Sequence, residues 1–599
     1  MKKVSLVLVV FSFVLSTIFA QGAMDNSIKS IDEIKIVESV PVSEKGYSFD
    51  SANPYLPPVS GLAHNNNADG VIYSVYVPKE MAPWSTGVII LCPDGISAEE
   101  FSLSDEGRRW LSSADKHSFA LGFVESSSEG WNTTLAENKR DDISAIEAVY
   151  TQMRSKSVKL YLPFTMDKSR VNLVGYKEGG AMALTSAAAS PSCFASVVAI
   201  NSMGADAEAI KKAGSNYCFP FPADGMRAKG EVKLVASTLP MPAWIIGDVD
   251  DEVYNYYATI NKADEYSYNK YASLYSDSSN EVASLWRSKN SDSLTPEVLY
   301  TEFVSKHTRP LGVEGGNLAF ATEFITRSDG SGYHVTEETF DGLVRRYMTY
   351  VPSSYDEAKA SPMVLVLHGY TATMYALAEE SRWADVAEKN GLIVVFAQGY
   401  PNENANPANI PAPSWISSNL FGQVKDGAND TLFLTHVIEE TKQNYNIDSE
   451  RVYGTGHSNG CAMTLALASE RSDLFTAIAP IGFLAAGSVD NLDNIMPVSI
   501  YYGEYDSAYS DSSYKNATEY WTRVNGVDKA EKVETTSEDG RFITETYYTS
   551  DNVPLVQFTK VTNSAHCYFP AESWRIWNEF FSHYNKKDGI LYYDGKAIN

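Results

Sequence analysis

The pentapeptide Gly456-His457-Ser458-Asn459-Gly460 sets a serine between two glycines, after the apolar run RVYGT and before the helix-like CAMTLALASE. A serine hydroxyl is a weak nucleophile until a base takes its proton and a tight turn lifts it clear of the backbone. Glycine on both sides lets the chain approach its neighbours closely enough for such a turn. The partners follow in chain order: Asp506 after the strand-like PVSIYYGEY, and His566 in TNSAHCYFP. An imidazole takes the serine proton, while a carboxylate at a strand end holds the imidazole in the right tautomer. Glu504, Asp511 and Asp551 are alternative acids that read as solvated loop residues. His334, His368, His436, His457 and His583 fall before the first strand, beside a loop, on a helix, at the turn or near the end, and suit the base less well. The negative oxygen formed by nucleophilic attack needs two backbone donors. The Asn459 N–H is expected to be one, and Tyr370 or Thr371, after LVLHG, to supply the other. His368, with Gly369, is expected to shape that loop against the substrate rather than act as acid or base.

The phrase around the serine occurs twice. RVNLVGYKEGGAMAL at 170–184 aligns with RVYGTGHSNGCAMTL at 451–465, an offset of 281 residues (451 − 170). Further blocks match in the same order, including SCFASVVAI with DLFTAIAPI and MPAWIIGDVD with MPVSIYYGEYD. Each copy is therefore expected to be a whole domain rather than a solenoid unit. The first copy has Lys177 in place of the serine, and alignment on Gly95 and Gly369 puts Asp94 opposite His368. Asp250 and His307 stand near the acid and base positions. A buried, deprotonated lysine serves Schiff-base chemistry, but neighbouring Glu178 favours the charged, non-nucleophilic form. The first copy is read as inactive.

Short apolar strands such as MVLVLHG and LIVVFAQG alternate with amphipathic stretches such as DTLFLTHVIEETKQNY. That pattern predicts α/β architecture: two tandem α/β-hydrolase domains, each a mostly parallel sheet covered by helices on both faces. The chemistry of such sheets sits at the carboxyl ends of the strands. The boundary is placed near TRSDGSG, giving domains over 24–326 and 327–599. Residues 1–23, with two lysines, an apolar run from Val4 to Ala20 and small residues at Ala20 and Ala23, read as a secretory signal peptide. An exported protein with no membrane association after cleavage is expected.

The net charge of −27 argues against nucleic acid or an anionic membrane as partner. No Cys/His cluster has ligand spacing, so neither metal nor cofactor is expected. Five cysteines leave at least one thiol unpaired in an exported chain.

Taken together, RRYMTYVP, LVLHG, RVYGTGHSNGCAMTLALA, FTAIAPI, GEYD and AHCYFP resemble the polyhydroxybutyrate depolymerase/feruloyl esterase family, related to carbohydrate esterase family 1. The resemblance covers about Phe340 to Tyr584. It implies a secreted serine esterase working through an acyl-enzyme, with Ser458, Asp506 and His566 as its triad. Feruloyl or acetyl esters on plant polysaccharide are the first expected substrate, and polyhydroxyalkanoate the second. A non-catalytic secreted binding protein of the same fold is the rival reading, and a peptidase or acyltransferase a further one. PSWISS resembles the family's tryptophan loop, which makes Trp415 a candidate wall of the substrate cleft or, equally, a buried anchor. The chain departs from the family at Cys461, where a second glycine is usual, and at Cys567, directly after the histidine. A Cys461–Cys567 disulfide is the pairing those departures raise.

Overall fold

The structure, a computed structural model, describes residues 28–37, 60–79, 85–154, 166–218, 234–278, 280–308, 325–326, 332–370, 372–402, 412–416, 428–562, 564, 566–568 and 570–598. The signal-peptide reading of 1–23 and the oxyanion candidate Thr371 lie outside the described residues. The segment 327–331, where the domain boundary is expected, also lies outside them.

The first sheet is built from β1 (Gly61–Ala68), β2 (Val71–Val77), β3 (Ser85–Leu91), β4 (Ala120–Val124), β5 (Met166–Tyr176), β6 (Val197–Ile200), β7 (Ala243–Ile246), β8 (Glu265–Tyr268), β9 (Ser273–Asp277) and β10 (Asn280–Ser288). The second comprises β11 (Tyr333–Phe340), β12 (Leu343–Tyr350), β13 (Ser361–Leu367), β14 (Ile393–Ala397), β15 (Ile447–Gly456), β16 (Ala477–Ile478), β17 (Val498–Gly503), β18 (Val533–Thr536), β19 (Phe542–Tyr548) and β20 (Pro554–Val561). The first runs β1-β2-β4-β3-β5-β6-β7-β10-β9-β8, and the second runs β11-β12-β14-β13-β15-β16-β17-β20-β19-β18. The two orders are the same. In each, six central strands are parallel and two antiparallel strands flank them on either side.

Central strands buried on both faces need continuous apolar sequence rather than alternation. β13 reads SPMVLVL and every residue in it is buried; β14 reads IVVFA with the same result. Among the helices that follow the central strands are α1 (Asp142–Arg154), α2 (Glu178–Ala189), α3 (Asp251–Ile260), α4 (Asp430–Asn444), α5 (Asn459–Glu470) and α6 (Pro570–Glu579). α2 and α5 are not amphipathic. Ten residues of α2, Gly179 to Ala188, and eleven of α5, Asn459 to Ser469, are buried, which suits their runs of Ala, Gly, Met and Leu. Both domains are thus α/β-hydrolase folds.

Strand register corrects one alignment between the copies. Leu91 ends β3 opposite Gly175, and Leu367 ends β13 opposite Gly456. The residue after each strand is therefore Cys92 in the first domain and His368 in the second. Asp94 lies at the position of Tyr370, not of His368. The glycine-based alignment slipped because the lead-in to β3 is two residues shorter than the lead-in to β13, and the loop from Leu91 to Gly95 is two residues longer than that from Leu367 to Gly369.

Glycines at the helix starts let α2 and α5 press directly on the central strands. A Cβ on Gly460 would sit 2.1 Å from the Leu367 carbonyl oxygen, and one on Gly179 would sit 2.4 Å from that of Leu91. Both obstacles are backbone and cannot rotate away. Gly460→Ala is expected to lower the stability of the second domain by about 3 kcal/mol or more, read as a shift in its urea unfolding midpoint. An unshifted midpoint would contradict that packing.

Candidate active site

Ser458 stands between β15 and α5 with φ 56° and ψ −113°, a backbone that L-residues with side chains rarely adopt. Such strain persists only where surrounding contacts over-determine it. Here the Ser458 N–H donates to the Ile481 carbonyl at 2.8 Å, and the His457 N–H to Leu367 at 2.9 Å. Ala462 N–H returns to the Ser458 carbonyl at 3.0 Å, closing the first turn of α5. The serine itself is 8% exposed. Gly369 faces it so closely that a Cβ there would be 3.3 Å from Ser458 Cβ.

His566 and Asp506 are brought together. The ring Nδ1 of His566 lies 2.8 and 3.0 Å from the two carboxylate oxygens of Asp506, which is itself 1% exposed. With Nδ1 directed at the carboxylate, Nε2 is the ring nitrogen able to act as a base. The loops carrying the pair are stitched to each other. Glu504 N–H donates to the Val561 carbonyl at 2.9 Å and Tyr505 N–H to Ser564 at 2.8 Å. Asp506 also accepts the Ala508 N–H at 2.8 Å, which fixes its rotamer. The alternative acids Glu504, Asp511 and Asp551 are exposed, while His436 and His583 pair with Glu338 and Asp594.

The His566 ring comes to the serine turn through Gly482. Its φ is +82°, and a Cβ there would lie 3.3 Å from His566 Cε1 and 3.1 Å from His457 Cδ2. The two imidazoles are 4.9 Å apart, centroid to centroid. The glycine thus leaves room for both rings beside Ser458.

Asn459 opens α5, so its N–H belongs to the first turn, where no carbonyl within the helix can accept it. That N–H adjoins the serine, and Tyr370 follows Gly369 on the facing loop. Asn459 is held by a reciprocal pair: its Oδ1 accepts the Trp415 N–H at 2.6 Å, and its Nδ2 donates to the Trp415 carbonyl at 3.0 Å.

Trp415 and His368 do not line an open cleft. They are 1% and 0% exposed, and the Trp415 indole N–H donates to the His368 carbonyl at 2.9 Å. Of the two readings of Trp415, the buried anchor is the one this geometry fits. His368 Nδ1 donates to the Gly369 carbonyl at 2.7 Å, while its Nε2 accepts from the Gly399 N–H and the Gln398 amide, both at 2.9 Å. An imidazole accepting at Nε2 must be neutral, and burial pushes its pKa down to about 4. The loop shape ascribed to His368 thus comes from hydrogen bonds beneath the site rather than from contact with a ligand.

Sequence reasoning missed the support under this loop. Asp430, at the start of α4, accepts the Ile416 N–H at 2.8 Å and takes the Arg345 guanidinium at 2.5 Å, with both side chains almost wholly buried. The first domain repeats the design, with Trp131 indole N–H to the Cys92 carbonyl at 2.8 Å and Asn132 N–H to Asp142 at 2.6 Å. The only sequence signal is an acid at the first position of both α1 and α4.

Cys461 and Cys567 are not joined in a disulfide. Both are buried; Cys461 contacts the Phe483 carbonyl at 3.1 Å and Cys567 the Ser564 hydroxyl at 3.2 Å. Burial pushes the Cys461 thiol well above its ordinary range, so it is an inert packing residue. The disulfide raised from sequence is absent.

The first domain keeps the turn without its partners. Lys177 has φ 50° and ψ −117°, nearly the values at Ser458, and its N–H donates to Ile200 at 2.9 Å. Its side chain is exposed. Asp250 is exposed and caps α3 through the Glu252 N–H. His307 is buried, with Nδ1 2.7 Å from the Phe303 carbonyl. Among the described residues, no group of three or more His, Cys, Asp or Glu has the arrangement of a metal site.

Comparison with known proteins adds the following. Residues 343–584 match the model of a family described as putative esterase. Poly(3-hydroxyalkanoate) depolymerase C of Paucimonas lemoignei is 26% identical over 236 residues, covering 34% of this chain and 55% of that protein. Acetylxylan esterase A of Aspergillus oryzae is 28% identical over 144 residues, covering 24% of this chain and 43% of that protein. The chain spans about half the length of these curated relatives. Among solved structures, an acetyl xylan esterase from Aspergillus awamori aligns with a TM-score of 0.32 and 18% identity, over 42% of this chain and 99% of that one.

Two predictions follow from the support beneath Ser458. Asp430→Ala strands the Arg345 charge in the interior and is expected to cost about 3–5 kcal/mol in chemical denaturation; a loss no larger than that of a surface substitution contradicts it. His368 is neutral in the fold, with a pKa of about 4 against 6.5 when unfolded. Its contribution is therefore fully present above pH 6.5 and is lost as pH falls toward 4, on the order of 3 kcal/mol in all. Stability measured between pH 7 and 4 should fall more steeply in the wild type than in His368→Asn, and equal slopes would contradict this.

Proposed function

We propose that the chain is a carboxylic-ester hydrolase acting through an acyl-enzyme on Ser458, a reading supported by the match of residues 343–584 to the putative esterase model. The observation that carries this reading is the His566–Asp506 pair at 2.8 Å beside the strained serine turn. His566 removes the Ser458 proton as Oγ bonds to the ester carbonyl carbon. The resulting oxyanion is received by the N–H of Asn459 and the loop at Tyr370. Collapse breaks the bond to the alcohol, which takes the proton from His566 and leaves. Water, deprotonated by the same imidazole, then attacks the acyl carbon; the bond to Ser458 Oγ breaks, Oγ takes the proton back from His566, and the acid is released. Asp506 stabilises the imidazolium at both stages.

Acetyl or feruloyl esters on plant polysaccharide are the proposed substrates, supported by the similarity to acetylxylan esterases. Polyhydroxyalkanoate is the second reading, favoured by the longer match to the Paucimonas depolymerase. We further assign the first domain, over 24–326, as an inactive duplicate of the catalytic one at 327–599, and residues 1–23 as the export signal. Among the described residues no helix is long and apolar enough to cross a membrane.

Ser458→Ala is expected to lower kcat on a p-nitrophenyl ester, methyl ferulate or acetylated xylan by on the order of 10⁴- to 10⁶-fold. Undiminished turnover on every one of these would overturn the reading. Lys177→Ser in the Ser458→Ala background should restore nothing, since Asp250 and His307 are engaged elsewhere.

A further inference from the structure

The outermost strand of the first sheet carries exposed aromatic side chains that the outermost strand of its twin lacks. Tyr266 and Tyr268 on β8 are 62% and 80% exposed. Cross-strand register pairs Tyr266 with Tyr275 and Tyr268 with Ser273, and Ser273 in turn with Arg287 on β10. Directly paired residues share a face, so all five side chains lie on one side of the sheet. Tyr266 and Tyr268 stand two residues apart, about 7 Å along the strand. The Tyr266 and Tyr275 rings are 5.2 Å apart and tilted by 53°. Behind them the Arg287 guanidinium lies 5.9 Å over Tyr275 and 3.6 Å over Tyr254 on α3. The result is a row of rings running inward from the edge and backed by one cation.

Folding does not explain this row. The corresponding edge strand of the second sheet, β18, reads Val533-Glu534-Thr535-Thr536, is equally exposed and has no aromatic residue. The same sheet order is therefore built without tyrosine there. Neighbouring large aromatic faces left in water are characteristic of contact surfaces, and tyrosine gives rigid amphipathic area with little loss of side-chain freedom. The chemistry of the row selects among partners. A chain of net charge −27 disfavours a polyanion. An aliphatic protein patch would call for Leu, Ile or Val beside the rings, and the exposed part of this face offers Tyr and Ser instead. A pyranose presents a C–H face, which stacks on the electron-rich face of a ring, and a rim of hydroxyls, which hydrogen-bond to phenol, serine and guanidinium groups.

We propose that Tyr266, Tyr268 and Tyr275, with Ser273 and Arg287, form a docking surface for a neutral polysaccharide chain, so that the domain without a nucleophile holds the polymer whose esters the other domain cleaves. The choice of polymer rests on the polysaccharide-ester reading; the surface itself does not.

Affinity electrophoresis of the full-length protein through gels containing soluble arabinoxylan or mixed-linkage β-glucan tests it, with p-nitrophenyl acetate hydrolysis and light scattering run on the same samples. The wild type should be retarded in at least one polymer. Tyr266→Ala/Tyr268→Ala should bind about tenfold more weakly, and Tyr266→Trp/Tyr268→Trp should bind like the wild type. Small-ester turnover and monomer mass should be the same in all three proteins. A wild type unretarded in both gels, or an alanine variant retarded like the wild type, overturns the proposal. So does a change of oligomeric mass in the alanine variant, which would make the edge a contact between copies. Retardation without ester hydrolysis would sink the catalytic reading and leave the docking surface standing, and hydrolysis without retardation would do the reverse.

Discussion

The site depends on one constraint, a backbone turn that no ordinary residue enters freely. Ser458 holds φ 56° and ψ −113° because β15 must end at Gly456, and α5 must begin at Asn459, with only His457 and Ser458 between them. Gly456 and Gly460 make this possible, since a Cβ on Gly456 would be 2.6 Å from the Gly460 carbonyl oxygen. The turn puts the hydroxyl at the head of a buried helix, beside an N–H that the helix cannot satisfy. Hydroxyl, donor and helix end are consequences of the same few backbone contacts.

Around that turn the protein spends its buried polar groups on position. Trp415 is fixed three ways: to Asn459 by two hydrogen bonds, to the His368 carbonyl by its indole, and through Ile416 to the Arg345–Asp430 pair. A buried ion pair is weak evidence of stability but can enforce one arrangement. Here the arrangement it enforces is the orientation of Asn459, the residue next to Ser458. The first domain has an equivalent frame around Trp131 and Asp142, with Lys177 on the same strained backbone. On our reading the frame outlived the chemistry because the packing of α2 on the sheet requires it whatever side chain stands at the turn.

Much of this was legible in the sequence, for local reasons. Continuous apolar runs predicted buried parallel strands, and the Gly-x-Ser-x-Gly phrase with its repeat predicted two turns of one kind. Asp506 stood out because it follows the strand-like run PVSIYYGEY, whereas Glu504, Asp511 and Asp551 read as solvated loop acids. What escaped was long-range. No periodicity links Arg345 to Asp430, 85 residues away, or reveals that Trp415 points inward. The misplaced counterpart of His368 shows the limit of spacing alone, because two extra residues before β13 shift the alignment while strand register is indifferent to them. The cysteines misled because nearness in sequence to two partners of one site says nothing about where their side chains point.

The central claim is that one of two equally strained turns carries a working nucleophile. Treatment of the full chain with a fluorophosphonate, followed by peptide mass mapping, tests it without reference to any natural substrate. The account predicts one equivalent of adduct per chain, on Ser458, with none on the peptide containing Lys177. An unlabelled Ser458, or an adduct within the first domain, would contradict it.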